Sequence, residues 1–64
     1  MKVYWIIEFE NSAGRRMFLT RVRPTHYTMD VANAKHFDED HVAVVSRWLI
    51  NLGVSHTLRQ VSIP

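Results

Sequence analysis

The sequence predicts a small α+β domain: an antiparallel sheet of three to four strands with one helix packed on one face, in the order β-β-(β)-α-β. Three observations carry this. Residues 3–9, VYWIIEF, are almost wholly β-branched or aromatic, the side chains that suit a pleated surface. A second run of strand character, MFLTRVR, follows after a short loop. From Asp38 onward the apolar spacing changes from a period of two to that of a helix.

Taken in order, the first strand places Val3, Trp5, Ile7 and Phe9 on one face and Tyr4, Ile6 and Glu8 on the other. The first set reads as core-facing. The loop ENSAGRR carries Asn11, Ser12 and Gly14, residues that favour turns. So short a connection makes the first two strands an antiparallel hairpin, the second ending at Pro24. Residues 24–33, PTHYTMDVAN, lack a sustained period; part of this segment, or AKHF after it, supplies the third strand. In the helix, Val42, Val45, Leu49 and Leu52 follow the i, i+3, i+7, i+10 spacing of one face, and Trp48 widens that stripe. Gly53 ends the helix where a left-handed residue is wanted. The tail SHTLRQVSIP reads as a last strand, with Leu58, Val61 and Ile63 able to reach the core.

At 64 residues this is a single domain, near the lower limit for a chain that folds without staples. It has no cysteine, so neither disulfides nor thiolate metal sites are available. Stability must come from an apolar core, and a hydrophobic content of 47% with seven aromatics can build one. The apolar runs are too short to span a membrane, and the N-terminal stretch, interrupted by glutamates, does not read as a signal peptide. The cytoplasm is the expected location.

Net charge is +2, but the charge is unevenly placed. Arg15, Arg16, Arg21 and Arg23 fall within nine positions, and Asp38, Glu39 and Asp40 are contiguous. The acidic block sits in HFDEDH, between His36 and His41, and invites a metal or acid–base reading. A helix start explains it better. Asp38 is a preferred N-cap, Glu39 and Asp40 occupy the first turn where the helix dipole favours negative charge, and Phe37 can staple the entry. The two histidines flank the helix start and match no closed metal geometry. No serine lies in a nucleophile elbow, and Gly14 and Gly53, the only glycines, form no phosphate loop. Glu8 and Glu10 share a strand face, as a solvated strand end does. The expectation is therefore a protein that is not an enzyme, with no catalytic residues, metal or cofactor.

Two surfaces remain as candidates. The arginines, with Arg21 and Arg23 on one strand face and Arg15 and Arg16 at the turn, could enter a nucleic-acid groove or grip an acidic partner. Three strands followed by a helix is also the layout of integrase arm-binding DNA domains, a likeness at the level of fold. The alternative is that these arginines keep an exposed hairpin soluble. The second surface is apolar: Tyr4, Ile6, Phe18, Tyr27 and Met29 either leave a patch on an uncovered sheet face that seeks a partner, or belong to a tightly filled small core with ordinary exposed tyrosines.

The segment YTMDVANAKHFDEDHVAVV resembles a pattern common in small phage and prophage proteins. Those proteins combine a short hairpin, an aromatic–Thr/Ser–x–Asp stretch, an A-x-x-F, a helix and a closing strand. Tyr27, Thr28, Asp30, Ala34 and Phe37 occupy the corresponding places, although many members have Trp where this chain has Tyr27. The histidines and the arginine cluster are not part of the pattern. The resemblance implies a phage or mobile-element accessory protein of a kind that commonly binds a host factor stoichiometrically, inhibitors of CRISPR–Cas complexes being one prominent group among them. Steric occlusion is the implied mechanism. A basic target surface would be met by Asp38, Glu39, Asp40, Glu8 and Glu10; an acidic target, or DNA, by Arg15, Arg16, Arg21 and Arg23. The alternatives are a small DNA-binding regulator using the basic hairpin, and a structural or assembly subunit that dimerises through an edge strand.

Overall fold

Nine residues of strand β1 (Lys2–Glu10) form the spine of a four-stranded sheet ordered β3-β2-β1-β4, with β2 (Arg16–Arg21), β3 (His26–Thr28) and β4 (Thr57–Ile63). Every pairing is antiparallel. A 3-10 turn (Val31–Asn33) and helix α1 (Glu39–Asn51) lie between β3 and β4. The structure is a computed structural model describing residues 2–63; Met1 and Pro64 lie outside the described residues. The α+β class and the order of elements along the chain agree with the sequence pattern, and the third strand comes from the 24–33 segment.

Asn11 shapes the β1–β2 turn. Its side-chain carbonyl accepts the N–H groups of Ala13 and Arg15, each at 2.9 Å, and Gly14 takes a φ of +78° that costs a glycine nothing. The hairpin it closes is short. β1 and β2 pair from Glu8↔Phe18 to Glu10↔Arg16. Beyond Glu8 the chain at 35–37 enters between them. Lys35 N–H donates to the Leu19 carbonyl at 2.9 Å, and Trp5 and Phe37 exchange both main-chain bonds at 2.8 Å. AKHF thus contributes one bridge rather than a strand, and it satisfies backbone groups that would otherwise be orphaned in the core.

On the helix side of the sheet, Ile7, Phe9, Leu19, Phe37, Val42, Val45 and Leu49 form the main buried cluster, flanked by half-buried Trp5, Val22, Trp48 and Val54. The opposite face is not bare. Ile6 and Phe18, 2% and 5% exposed, are sealed with Ala34 and flanked by Val61, because the 30–36 segment crosses that face. The His36 ring stacks on Tyr4 at 5.8 Å. The expected open apolar face is therefore closed at Ile6 and Phe18, and only Tyr27 and Met29 of that group remain exposed.

Both ends of α1 are capped. The Asp38 carboxylate accepts the His41 N–H at 2.7 Å, and Phe37, just before the cap, shares the buried cluster with Val42 in the next turn. At the far end Gly53 N–H donates to Ile50 and Val54 N–H to Leu49, both at 2.9 Å, with Gly53 at φ +75°. This termination turns Val54 back onto the core, so Leu52, expected inside, is 59% exposed. Leu58 is exposed as well. It lies on the helix side of β4 opposite Ile7, whereas Val61 and Ile63 are half-buried, and Val61 opposite Tyr4 belongs to the other face.

Phe37, 1% exposed, is the residue on which these contacts converge. Phe37→Ala should cost about 3–5 kcal/mol in a denaturant melt. Trp48→Ala, at the half-buried margin of the helix, should cost clearly less; equal losses would contradict this placement.

Candidate functional site

The four arginines do not form one patch. β2 stops at Arg21, its pairing with β3 shifts between Leu19 and Arg21, and Arg23 lies in the turn that follows. The expected shared strand face for Arg21 and Arg23 is thus replaced by a bend. Arg15 lies in the hairpin loop, and Arg16 opens β2 at its other end, about 16 Å from Arg21 at strand rise.

Each pair has different company. The Arg16 Nε stands 4.0 Å from Glu8 Oε1, and Arg59 Nη1 donates to the same oxygen at 3.1 Å. Arg21 and Arg23 make no ion pair among the described residues. They line a groove of about 610 Å³ between the end of β2 and the first turns of α1. Lys35 and His41 line it too, with Val22, Val44, Val45 and Trp48 supplying apolar wall, and none of its lining residues is acidic.

The fold builds this groove from parts made for other purposes. Lys35 is held by its main-chain bond to Leu19, and its ammonium lies 5.5 Å from the Phe37 ring centroid. His41 is fixed by the Asp38 cap, with its ring edge-on to Phe37 at 5.0 Å. Helical spacing then puts Val44, Val45 and Trp48 on the same side as His41. Four basic side chains, one of them a histidine, thus surround an apolar wall, an arrangement that attracts an anion bearing hydrophobic surface.

The acidic candidates are not brought together either. Asp38, Glu39 and Asp40 are exposed at the helix start, next to the Trp5–Phe37 bridge. Glu8 and Glu10 lie towards the hairpin end of β1, with Glu10 about 16 Å along the strand from Trp5. Glu8 is neutralised by two arginines, and Glu10 lines a separate depression of about 310 Å³ with Arg16 and His56. Among the described residues no three of His, Asp and Glu are grouped so as to hold a metal ion. No described helix is long and apolar enough to cross a membrane.

Several polar roles carry no local sequence signal. Lys35 and Arg59 are isolated cations, and pairing reveals what they face. Ser46 Oγ lies 2.7 Å from His56 Nε2, and His56 Nδ1 lies 3.1 Å from the Val54 carbonyl. A carbonyl only accepts, so the neutral ring carries its proton on Nδ1 and Nε2 accepts the Ser46 hydroxyl. The pair ties α1 to the start of β4 across the Gly53 turn.

Substitution separates the free cations from the engaged ones. Arg21→Glu should leave stability within about 0.5 kcal/mol, because the side chain is exposed and unpaired. Glu8→Ala should cost about 1 kcal/mol, since Arg16 and Arg59 then face each other without a counter-charge. Thermal melts of both variants check this: Glu8→Ala should melt below Arg21→Glu, and the reverse order would contradict it. Comparison of the chain with protein families, with curated proteins and with solved structures finds no match.

Proposed function

We propose that this chain is a small phage-type accessory protein that works by stoichiometric protein binding, as an inhibitor of a host defence complex of the anti-CRISPR kind. The observation that carries this reading is the groove beside α1, where Arg21, Arg23, Lys35 and His41 border exposed Val44 and half-buried Trp48. Exposed apolar surface is costly to leave in water, and the unpaired cations around it select an oppositely charged partner to cover it. The resemblance of YTMDVANAKHF to phage accessory proteins supplies the biological setting, and steric occlusion is the mechanism that suits a rigid domain of this size.

The charge layout chooses between the two forms that reading can take. Asp38 caps α1, Glu39 and Asp40 stand exposed in its first turn, and Glu8 is engaged by Arg16 and Arg59. No acid lines the groove, which favours an acidic surface on the target over a basic one at that place. The same unpaired cations are the one observation that favours the second reading, a nucleic-acid binder. Against it, the cations of β2 are split between its two ends instead of tracking a phosphate backbone.

Titrating purified CRISPR effector complexes with the protein in a target-cleavage assay tests the proposal. Inhibition should reach its plateau near one chain per complex. Inhibition at far lower ratios would indicate turnover and oppose the occlusion mechanism. No inhibition, together with micromolar duplex binding that collapses with added salt, would replace the proposal with the nucleic-acid reading.

A further inference from the structure

We infer that the groove between the end of β2 and α1 is a docking site for an acidic peptide segment carrying at least one bulky aliphatic or aromatic side chain. The inference rests on the protein-binding reading above and names the chemistry of the partner at that site.

Three features define the occupant. Arg21 and Arg23 reach the groove from the β2 end and its following turn, and Lys35 and His41 from the segment entering α1. Cations therefore arrive from both walls, which suits carboxylates spaced along an extended chain, and arginine can hold each one bidentately. Between them, Val44 is 68% exposed although it sits one position from buried Val45. An exposed valine beside the half-buried Trp48 ring is a place for an apolar side chain, with the indole as its wall. The volume, about 610 Å³, falls within the range of small-ligand sites, room for a few side chains of an extended segment.

The same features argue against two other occupants. A nucleic acid needs cations continued along its backbone, but Arg15 and Arg16 lie at the far end of β2 and Arg16 already faces Glu8. The apolar wall also offers nothing to phosphate. A second copy of this chain does carry an aromatic followed by acids, Phe37-Asp38-Glu39-Asp40. Its Phe37 is buried in its own core, so that copy cannot present the apolar anchor the groove requires.

The test uses a fluorescein-labelled peptide of glutamates and aspartates interrupted by two leucines, followed by anisotropy at about 150 mM salt. Binding in the micromolar range is expected. Arg21→Glu and Val44→Glu each alter an exposed side chain and should each weaken binding about tenfold, equivalent to about 1.4 kcal/mol. Arg15→Glu, at the other end of β2, should leave it unchanged. In a proton–nitrogen spectrum the Trp48 indole resonance should move with peptide while that of Trp5 stays. Replacing the two leucines by glycine should weaken binding about tenfold as well. The inference is overturned if wild-type protein does not bind the peptide. It is equally overturned if both groove variants bind like wild type, or if a single-stranded or duplex DNA of similar charge binds more tightly. Repeating the effector titration with Arg21→Glu separates the two levels. Inhibition by wild type that survives this variant removes the groove while keeping the binding function, whereas no inhibition by wild type removes the function itself.

Discussion

The reciprocal main-chain bonds between Trp5 and Phe37, both 2.8 Å, fix more of this domain than any other contact. They hold the 35–37 segment between strands that have parted, so the sheet keeps its backbone groups paired where β1 and β2 no longer touch. The same residue drives its ring into the main cluster, and the next one, Asp38, caps α1. The position and direction of the helix therefore follow from one pair of hydrogen bonds. So does the covering of the opposite face, because the chain must cross Ile6 and Phe18 to reach Trp5. In a chain of 64 residues without cysteine, this economy replaces the staples that small domains otherwise use.

Much of this was legible in the residues. Strand alternation, the Asp38 cap, the first-turn acids and Gly53 are local signals, and each acts where its own neighbours suffice to define it. The misjudged positions are those where distant chain decides. Leu52 has the right helical spacing, but the termination around Gly53 brings Val54 to the core in its place. Ile6 and Phe18 lie on the face away from the helix, and only the return of residues 30–36 buries them. The phage-like pattern marks this same connection. The Thr28 hydroxyl accepts the Asp30 N–H, Asp30 accepts the Ala32 N–H, Ala34 packs on Ile6 and Phe18, and Phe37 anchors the end. Its residues specify a path for the chain, and a path is compatible with many partners.

The candidate site was legible only in part, for a related reason. Spacing along the sequence grouped four arginines that β2 then separates by its own length, and it gave no hint that Lys35 and His41 would join two of them. Charge counts have the same limit. Six acids against eight basic residues looks nearly balanced, but Glu8 alone engages Arg16 and Arg59, and both bonds lie on the sheet face away from α1. No acid lines the groove, and screening over a Debye length of about 8 Å lets its cations be felt by a partner at contact and little beyond.

A chain this short has few places for a binding site. Among the described residues the buried ones are all apolar, and no buried side-chain nitrogen or oxygen lacks a hydrogen-bond partner. Function must use side chains that the core does not need. α1 shows where they are: Val42, Val45 and Leu49 are committed to the sheet, while Val44, one step around the helix, is left in solvent beside unpaired cations. A purely structural helix would gain solubility from a polar residue at that position. Keeping valine there sacrifices nothing in the core, and it gives the groove an apolar contact that charge alone cannot supply. In the proposed docking site the arginines would set which partners approach, and Val44 and Trp48 which of them stay.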